Sequence, residues 1–422
     1  MSGKYGARVA VNTRLLYVRL AIATAINLFV VRRLVGSLGI EGYGAFSVAC
    51  AGVGVFFFFR GALMSAARRF VCEDGLNFQP LLGLTLAIVA TVGVTVVLVS
   101  AIRPAQSFAV QVFVLGMFAL QTLRLPYEAL IVAGERMGIF LVLSAVESAL
   151  TLVAALAISV LPMAPLTAYA ALRLAGEAVV WFLTFAYCRR RHSASHDPPV
   201  FALSRVRPLF RFFGWQTLGS VAVFLRAQGV VLLLAVYAGT GACAAFETGG
   251  TVMGILWGFV ASYRTAYLPG IVKSWADGDR ASFVGCTARA FRHSLFGAIL
   301  VVAPILVWAP SACRLWIGDG LPPDAAMFVR MFVLQCFFEA LATPLDTAIL
   351  AIGRIARYEI VLSVLIGSSF ALAWLFLSAG LPAWTSIGAA AFVNPFAFLY
   401  RFVHLKRHHG FAIRAWFCRS AA

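Results

Sequence analysis

Four arginines lie inside apolar segments that are long enough to cross a membrane. Arg19, Arg60 and Arg264 lie toward one end of their segments, and Arg226 lies near the middle of its own. A guanidinium stays protonated when buried, and its planar fork binds a phosphate through two hydrogen bonds. Because a charge in hydrocarbon costs about 3 kcal/mol or more, we expect these side chains to line a polar cavity. Such a cavity would bind an anionic head group and exclude cations.

Two of these arginines also fit a purely structural interpretation. Arg19 and Arg264 lie close enough to the ends of their segments for the guanidinium to reach the lipid head groups. Arg60 follows the run of phenylalanines at 56–59 and lies deeper, which favours function. Arg226 is too deep to reach the surface easily, so it predicts either a functional site or a buried ion pair.

Acidic side chains in the apolar segments are the candidates for ion coupling. They are Glu147, Glu247, Glu339 and Asp346. A carboxyl group in low-dielectric surroundings can take up and release a proton, which suits coupling to a gradient. The alternative is a pair with an arginine, and we expect that for at least half of them. Arg173 and Glu177 are four residues apart and are predicted to pair on one helix face.

Motifs for catalysis or metal binding are weak. The sequence has no GxxxxGK[ST] phosphate-binding loop, and no two cysteines form a CxxC pair. The six histidines fall in polar segments without acidic or cysteine partners at metal-binding spacing. Asp277-Gly278-Asp279 has the form of a DxD motif, but it stands in a short loop and is interpreted as a turn. The sequence therefore predicts no catalytic residue, no cofactor and no metal site.

The amino-acid composition indicates that most of the chain lies in a lipid bilayer. The chain has 422 residues, of which 62% are hydrophobic and 12% are charged, whereas soluble domains are about 25% charged. This excludes soluble, disordered and fibrous proteins and predicts an all-α membrane protein. The net charge of +18 fits basic cytoplasmic loops beside anionic lipid better than it fits nucleic acid, which is not predicted as a partner.

Twelve apolar stretches predict the membrane-spanning helices, because a span needs about 20 apolar residues. Their ranges are 15–37, 43–66, 81–102, 107–123, 138–161, 165–187, 213–237, 244–268, 294–312, 327–350, 359–379 and 383–403. Most lysines and arginines fall in alternate connections, which predicts that both termini are cytoplasmic. The predicted domains are a six-helix lobe at 1–187, a basic cytoplasmic linker at 188–212, and a second lobe with a basic tail at 213–422.

Several stretches resemble the O-antigen and polysaccharide-repeat flippases of the multidrug/oligosaccharidyl-lipid/polysaccharide (MOP) transporter superfamily. The stretch 33–44, which reads RLVGSLGIEGYG, resembles the junction of the first two helices in that family. Further matches are Gln228-Gly229, PGIVKS at 269–274 and LWIG at 315–318. The fullest match is PLDTAILAIGRI at 344–355, followed by Tyr358. The matches keep the family's order over most of the chain.

The resemblance implies a MATE-like fold of two six-helix lobes around a central cavity that alternates between the two membrane faces. The implied cargo is an undecaprenyl-pyrophosphate-linked oligosaccharide, moved across the bacterial inner membrane for O-antigen, capsule or exopolysaccharide biosynthesis. Arg19, Arg60 and Arg264 lie on helices comparable to those whose arginines bind pyrophosphate in related flippases. Further implied partners are membrane lipid, a polysaccharide polymerase and chain-length machinery.

Two other functions remain as alternatives. An integral-membrane polysaccharide polymerase or ligase usually needs a large outer loop, and the longest one predicted here, 313–326, is short. A MATE-type drug exporter would favour acids over arginines in its cavity, since its cargo is often cationic. Here the arginines in the apolar segments outnumber the acids, which favours the flippase.

Overall fold

The structure is a computed structural model that describes residues 2–54, 78–102, 108–133, 136–191, 219–353 and 356–409. In these ranges the chain is helical and has no strand. Eleven of the helices described there are long and apolar enough to cross a membrane. The expected all-α, polytopic membrane fold is confirmed. Helices suit this environment because their backbone hydrogen bonds are satisfied within each segment.

The chain forms two compact units, Met1–Leu232 and Leu233–Ala422, called here the N-terminal and C-terminal units. The boundary lies within α6 (Gly219–Tyr237), which contains a π turn at Leu225–Gly229. The structure describes none of residues 192–218, so the predicted linker at 188–212 and the lobe boundaries around it stay predictions. The N-terminal unit contains α1 (Ser2–Val53), α2 (Phe78–Ile102), α3 (Phe108–Ala133), α4 (Met137–Leu156) and α5 (Pro165–Arg191).

Several of the predicted spans differ from the observed helices. The first span and the start of the second both lie in α1, which changes direction at Gly39, where φ is 74°. Glycine tolerates this left-handed backbone because it has no Cβ. The span predicted at 107–123 continues through α3, so that Arg124 and Glu128 lie in a membrane helix rather than in a loop.

The N-terminal unit is held by close packing around α3. Leu125, Leu130 and Ile131 of α3 are buried against Phe78 of α2 and Cys188 of α5. In lipid, such contacts add little hydrophobic free energy, because acyl chains are as apolar as leucine. The helices therefore depend on close packing and on polar contacts between them.

The C-terminal unit consists of α7 (Gly239–Ala276), α8 (Arg280–Ile317), α9 (Ala325–Ile352), α10 (Ala356–Ser378) and α11 (Thr385–His409). The helices α7 and α9 approach closely at Gly249, where an added Cβ would lie 2.6 Å from Cδ2 of Phe332. Asp279 caps α8 by accepting a hydrogen bond from the Ser282 backbone N–H at 2.9 Å. Hydrogen bonds from the Ser282 side chain and backbone lower the pKa of the Asp279 carboxyl.

Arg330 of α9 binds a backbone carbonyl of α8 that Pro310 leaves without its helical hydrogen bond. Pro310 has no N–H, so the carbonyl of Leu306 lacks its usual intrahelical donor four residues ahead. Arg330 Nε donates a hydrogen bond to that carbonyl at 2.9 Å. The guanidinium thus satisfies an acceptor that the proline leaves without its usual helical donor.

We expect Arg330→Ala to lower the free energy of unfolding by about 1–3 kcal/mol, because it leaves the Leu306 carbonyl without a donor. The cost should fall below about 1 kcal/mol in a Pro310→Ala background, where residue 310 regains its N–H. Unfolding of the four purified proteins in mixed micelles measures both costs. Equal costs in the two backgrounds would show that Arg330 acts in some other way.

Candidate functional site

The structure places the four predicted phosphate-binding arginines on different elements. Arg19 lies in α1, and the structure describes its backbone but not its side chain, while Arg60 lies outside the described residues. Arg226 is half-buried and belongs to the π turn of α6. Arg264 is exposed on α7. A common site for these four arginines stays a prediction.

Arg226 lies in an unusual turn in the middle of a membrane helix. π turns add one residue to a helical turn, and they are frequent at functional sites. The same turn holds Gln228, whose Cγ would lie 3.1 Å from a Cβ added to Gly54. Gly54 therefore lets the end of α1 approach the π turn closely. The sequence marked both Arg226 and Gln228, but it did not show that they share a π turn.

A polar cluster in the N-terminal unit brings together three helices. Arg124 of α3 contacts three carboxylates: Glu128 on its own helix at 2.7 Å, Glu147 of α4 at 2.8 Å and Glu177 of α5 at 3.4 Å. Gln121 of α3 also donates a hydrogen bond to Glu177 at 2.8 Å. The guanidinium thus crosslinks α3, α4 and α5 inside the bundle.

Arg173 completes this Arg124 cluster. Its Nη2 lies 3.3 Å from Glu177 on the same helix, which confirms the predicted pair. Its Nη1 donates to the hydroxyl of Thr151 on α4. The contacts described here thus join two guanidiniums and three carboxylates. Glu147 is the most accessible of the carboxylates, with 30% of its side chain exposed, against 1% for Glu177.

A second polar cluster lies in the C-terminal unit. Asp346 of α9 accepts a hydrogen bond from Arg401 Nε of α11 at 2.7 Å and another from the hydroxyl of Tyr358 on α10. Arg401 Nε also lies 3.2 Å from the Tyr358 oxygen. His404 packs its ring against Tyr358, with centroids 5.5 Å apart. The cluster connects α9, α10 and α11 near the Gly353 end of α9.

Glu339 lies nearer the middle of α9 and is held by amides. Its Oε1 accepts hydrogen bonds from Gln335 Nε2 at 3.0 Å and from Asn394 Nδ2 of α11 at 3.3 Å. Asn394 also donates to the Gln335 backbone carbonyl at 3.2 Å. The remaining ion-coupling candidate, Glu247, is half-buried on α7. Of the four candidate acids, Glu147 and Asp346 pair with arginine, as expected for at least half of them.

The sequence does not predict three charged residues of these clusters. The predicted span at 107–123 ends before Arg124 and Glu128, and no sequence pattern distinguishes Arg401. The apolar run ALIVA at 129–133 was the signal that α3 continues. Within the described ranges, no three histidine, cysteine, aspartate or glutamate side chains are grouped so that they could hold a metal ion.

Comparison with known proteins gives a likeness in fold. No protein-family model matches the sequence, and no curated protein does. Among solved structures, the inward closed conformation of the lipid II flippase MurJ matches with a TM-score of 0.74, at 13% identity over 95% of this chain and 89% of that one. An inward-facing multidrug resistance MATE transporter of the MOP superfamily matches with a TM-score of 0.68, at 12% identity over 93% and 98%.

A third similar structure is a MOP superfamily transporter from Pyrococcus furiosus. The binding pocket of that transporter has a reverse polarity, which suggests that its function is different. Its TM-score is 0.61, at 13% identity over 95% of both chains. All three share nearly the whole length of this chain, although their sequences have diverged far from it. The chain therefore shares its fold with MATE transporters of the MOP superfamily and with MurJ.

Proposed function

We propose that this protein is a flippase for an undecaprenyl-pyrophosphate-linked oligosaccharide. It would move the lipid-linked sugar from the cytoplasmic to the periplasmic leaflet of the bacterial inner membrane, with both termini cytoplasmic. The product would enter O-antigen, capsule or exopolysaccharide biosynthesis, with a polymerase and chain-length machinery as later partners. The observation that carries the proposal is arginine within the membrane helices of a MOP fold, with Arg226 in the π turn of α6 as its central residue.

The proposed pyrophosphate-binding residues are Arg19, Arg60, Arg226 and Arg264. A diphosphate carries two or more negative charges, and moving it bare through hydrocarbon would be prohibitively costly. Guanidiniums replace water around the head group while the polyprenyl tail stays in lipid. Charge-assisted hydrogen bonds to phosphate are worth about 1.5–3 kcal/mol each, so several are needed to offset the lost hydration.

The direction of movement would come from ion coupling. A proton or cation biases an equilibrium between two conformations only when it binds one of them more tightly. Glu147 is the coupling candidate whose surroundings fit best, because it is the most accessible carboxylate of the Arg124 cluster. Glu339 is held by neutral amides, whereas Asp346 is balanced by Arg401. Glu247 remains a fourth candidate.

A drug exporter is the second candidate function, and the likeness to MATE transporters supports it. The three carboxylates of the Arg124 cluster would suit a cationic cargo better than an anionic one. The polymerase or ligase has less support, because α8 and α9 are connected by residues 318–324 alone. Such a short connection offers no surface on which to hold an acceptor glycan.

The test of the proposal replaces the deep arginines. We expect Arg226→Ala and Arg60→Ala to lower the rate of flipping by about 10- to 100-fold, the loss of one charge-assisted hydrogen bond network. Arg226→Lys keeps the charge but not the fork, and should retain part of the activity. Accumulation of cytoplasm-facing lipid-linked sugar in membrane vesicles is the readout, with protein level measured in parallel.

The matched control is Arg314→Ala, which removes an exposed arginine at the end of α8 and should leave flipping unchanged. Normal surface polysaccharide and normal sugar sidedness in both alanine variants would reject the proposed role. Export of a cationic dye that depends on Glu147 but not on Arg226 would favour the drug exporter instead.

A further inference from the structure

One face of α8 changes from basic to apolar along its length. Arg289, His293, Phe296, Leu300 and Val307 are all exposed, and the three apolar side chains are 69%, 75% and 65% exposed, respectively. At 100° per residue, these five positions fall within a sector of about 60° on the helix surface. The face therefore presents two cationic or polar groups next to an uninterrupted apolar stripe.

The length of the stripe matches one leaflet of a bilayer. Eleven residues separate Phe296 from Val307, which corresponds to about 16 Å at 1.5 Å per residue. The hydrocarbon core is about 30 Å thick, so one leaflet contributes about 15 Å. With the apolar stripe in one leaflet, Arg289 and His293 lie at the level of the head groups.

The basic end of this face is fixed by contacts with α7. The Tyr267 hydroxyl is hydrogen-bonded to His293 Nδ1 at 2.9 Å, and the Tyr263 hydroxyl donates to the Ala290 carbonyl at 2.6 Å. Arg289 makes long contacts within its own helix, with Nε 3.4 Å from the Gly285 carbonyl and Nη2 3.5 Å from Cys286 Sγ. Its guanidinium therefore keeps donors for another acceptor.

The surrounding charges favour an anion. Residues 262–293 hold five lysines and arginines against two aspartates, a net formal charge of 5 − 2 = +3. One of the two, Asp279, already accepts the capping hydrogen bond at the start of α8. It precedes Arg289 by ten residues, or about 15 Å along the helix. The acids therefore do not neutralise the basic end of the face.

We propose that this face of α8 binds an anionic phospholipid. The phosphate lies against Arg289 and His293, and one acyl chain runs along Phe296, Leu300 and Val307. Charge complementarity selects the head group, and the length of the stripe selects a molecule with an acyl chain rather than a free anion. This lipid site does not depend on which cargo the protein transports.

Native mass spectrometry of the full-length protein tests the proposal, with phosphatidylglycerol and phosphatidylcholine of identical acyl chains added separately. The protein should bind phosphatidylglycerol at least about fivefold more tightly, since the two lipids differ only in head group charge. Arg289→Ala should raise the Kd for phosphatidylglycerol about tenfold, and Arg289→Lys by a smaller factor, since it keeps the charge.

The control is Lys273→Ala, which removes an exposed cation of α7 that lies outside this face and should change the Kd far less than Arg289→Ala does. Thermal unfolding shows whether each variant is folded. Equal binding of the two lipids, or an unchanged Kd in folded Arg289→Ala, would overturn the proposal. So would displacement of phosphatidylglycerol by millimolar inorganic phosphate, which would identify a site for the free anion.

Discussion

Replacing Arg124 with alanine is expected to lower the free energy of unfolding by about 3–5 kcal/mol, the cost of removing one partner from a buried ion pair. The Arg124 side chain is 4% exposed and contacts three carboxylates, so its loss removes one cationic partner from each of Glu128, Glu147 and Glu177. Unfolding in mixed micelles measures the change, and the level of the variant in the membrane should fall with it.

The origin of this loss can be separated from a simple packing defect. Glu177→Gln should destabilise the wild-type protein, but in the Arg124→Ala background it should cost less, because the carboxylate has already lost one of its two arginine partners. Arg136→Ala is the matched control, since Arg136 is exposed before α4 and should change stability by less than about 0.5 kcal/mol. Additive costs for Arg124 and Glu177 would contradict the crosslink between α3 and α5.

A second large effect is expected at Arg401. Arg401→Ala should destabilise the protein by about 2–3 kcal/mol, less than Arg124→Ala, because Asp346 keeps 27% of its side chain exposed and can be hydrated. Asp346→Asn should cost less still, since an amide oxygen can accept the hydrogen bonds of Arg401 and Tyr358. Unfolding measurements in the same micelles allow a direct comparison.

Arg407 provides the control for this pair, because it is an exposed arginine further along α11. Arg407→Ala should leave stability nearly unchanged. If Arg401→Ala and Arg407→Ala behaved alike, the contact with Asp346 would contribute nothing to stability. A loss of transport in Asp346→Asn with stability retained would instead assign Asp346 to ion coupling.

The helices could be predicted from the sequence because hydropathy alone decides which segments enter a bilayer. The exceptions have specific physical causes. The end of α3 was misplaced because Arg124, Pro126 and Glu128 together have the composition of a loop. In the structure, Arg124 contacts carboxylates of two other helices. Its charge is therefore stabilised by partners that lie 23 and 53 residues away in the sequence.

The contacts between side chains of different helices could not be predicted from the sequence. Arg173 and Glu177 could be paired because both lie on one helix, four residues apart. Asp346 and Arg401 are 55 residues apart, and their contact depends on how α9 and α11 are shifted along each other. The relative shift of the two helices is set by side-chain packing along their whole interface. The periodicity of apolar residues in the sequence does not reveal that packing. The positions of acids in membrane helices were predictable, but their partners were not.

Because Gly249 has no side chain, α9 and its polar groups can lie close to α7. Phe332 fills the space that a Cβ at residue 249 would need, and it precedes Gln335 by less than one turn of the helix. The side-chain volumes at positions 249 and 332 are therefore coupled, because a larger side chain at one position requires a smaller side chain at the other. A single hydrogen atom in place of a methyl group on α7 thus lets the helix that carries Glu339 and Asp346 lie close against α7.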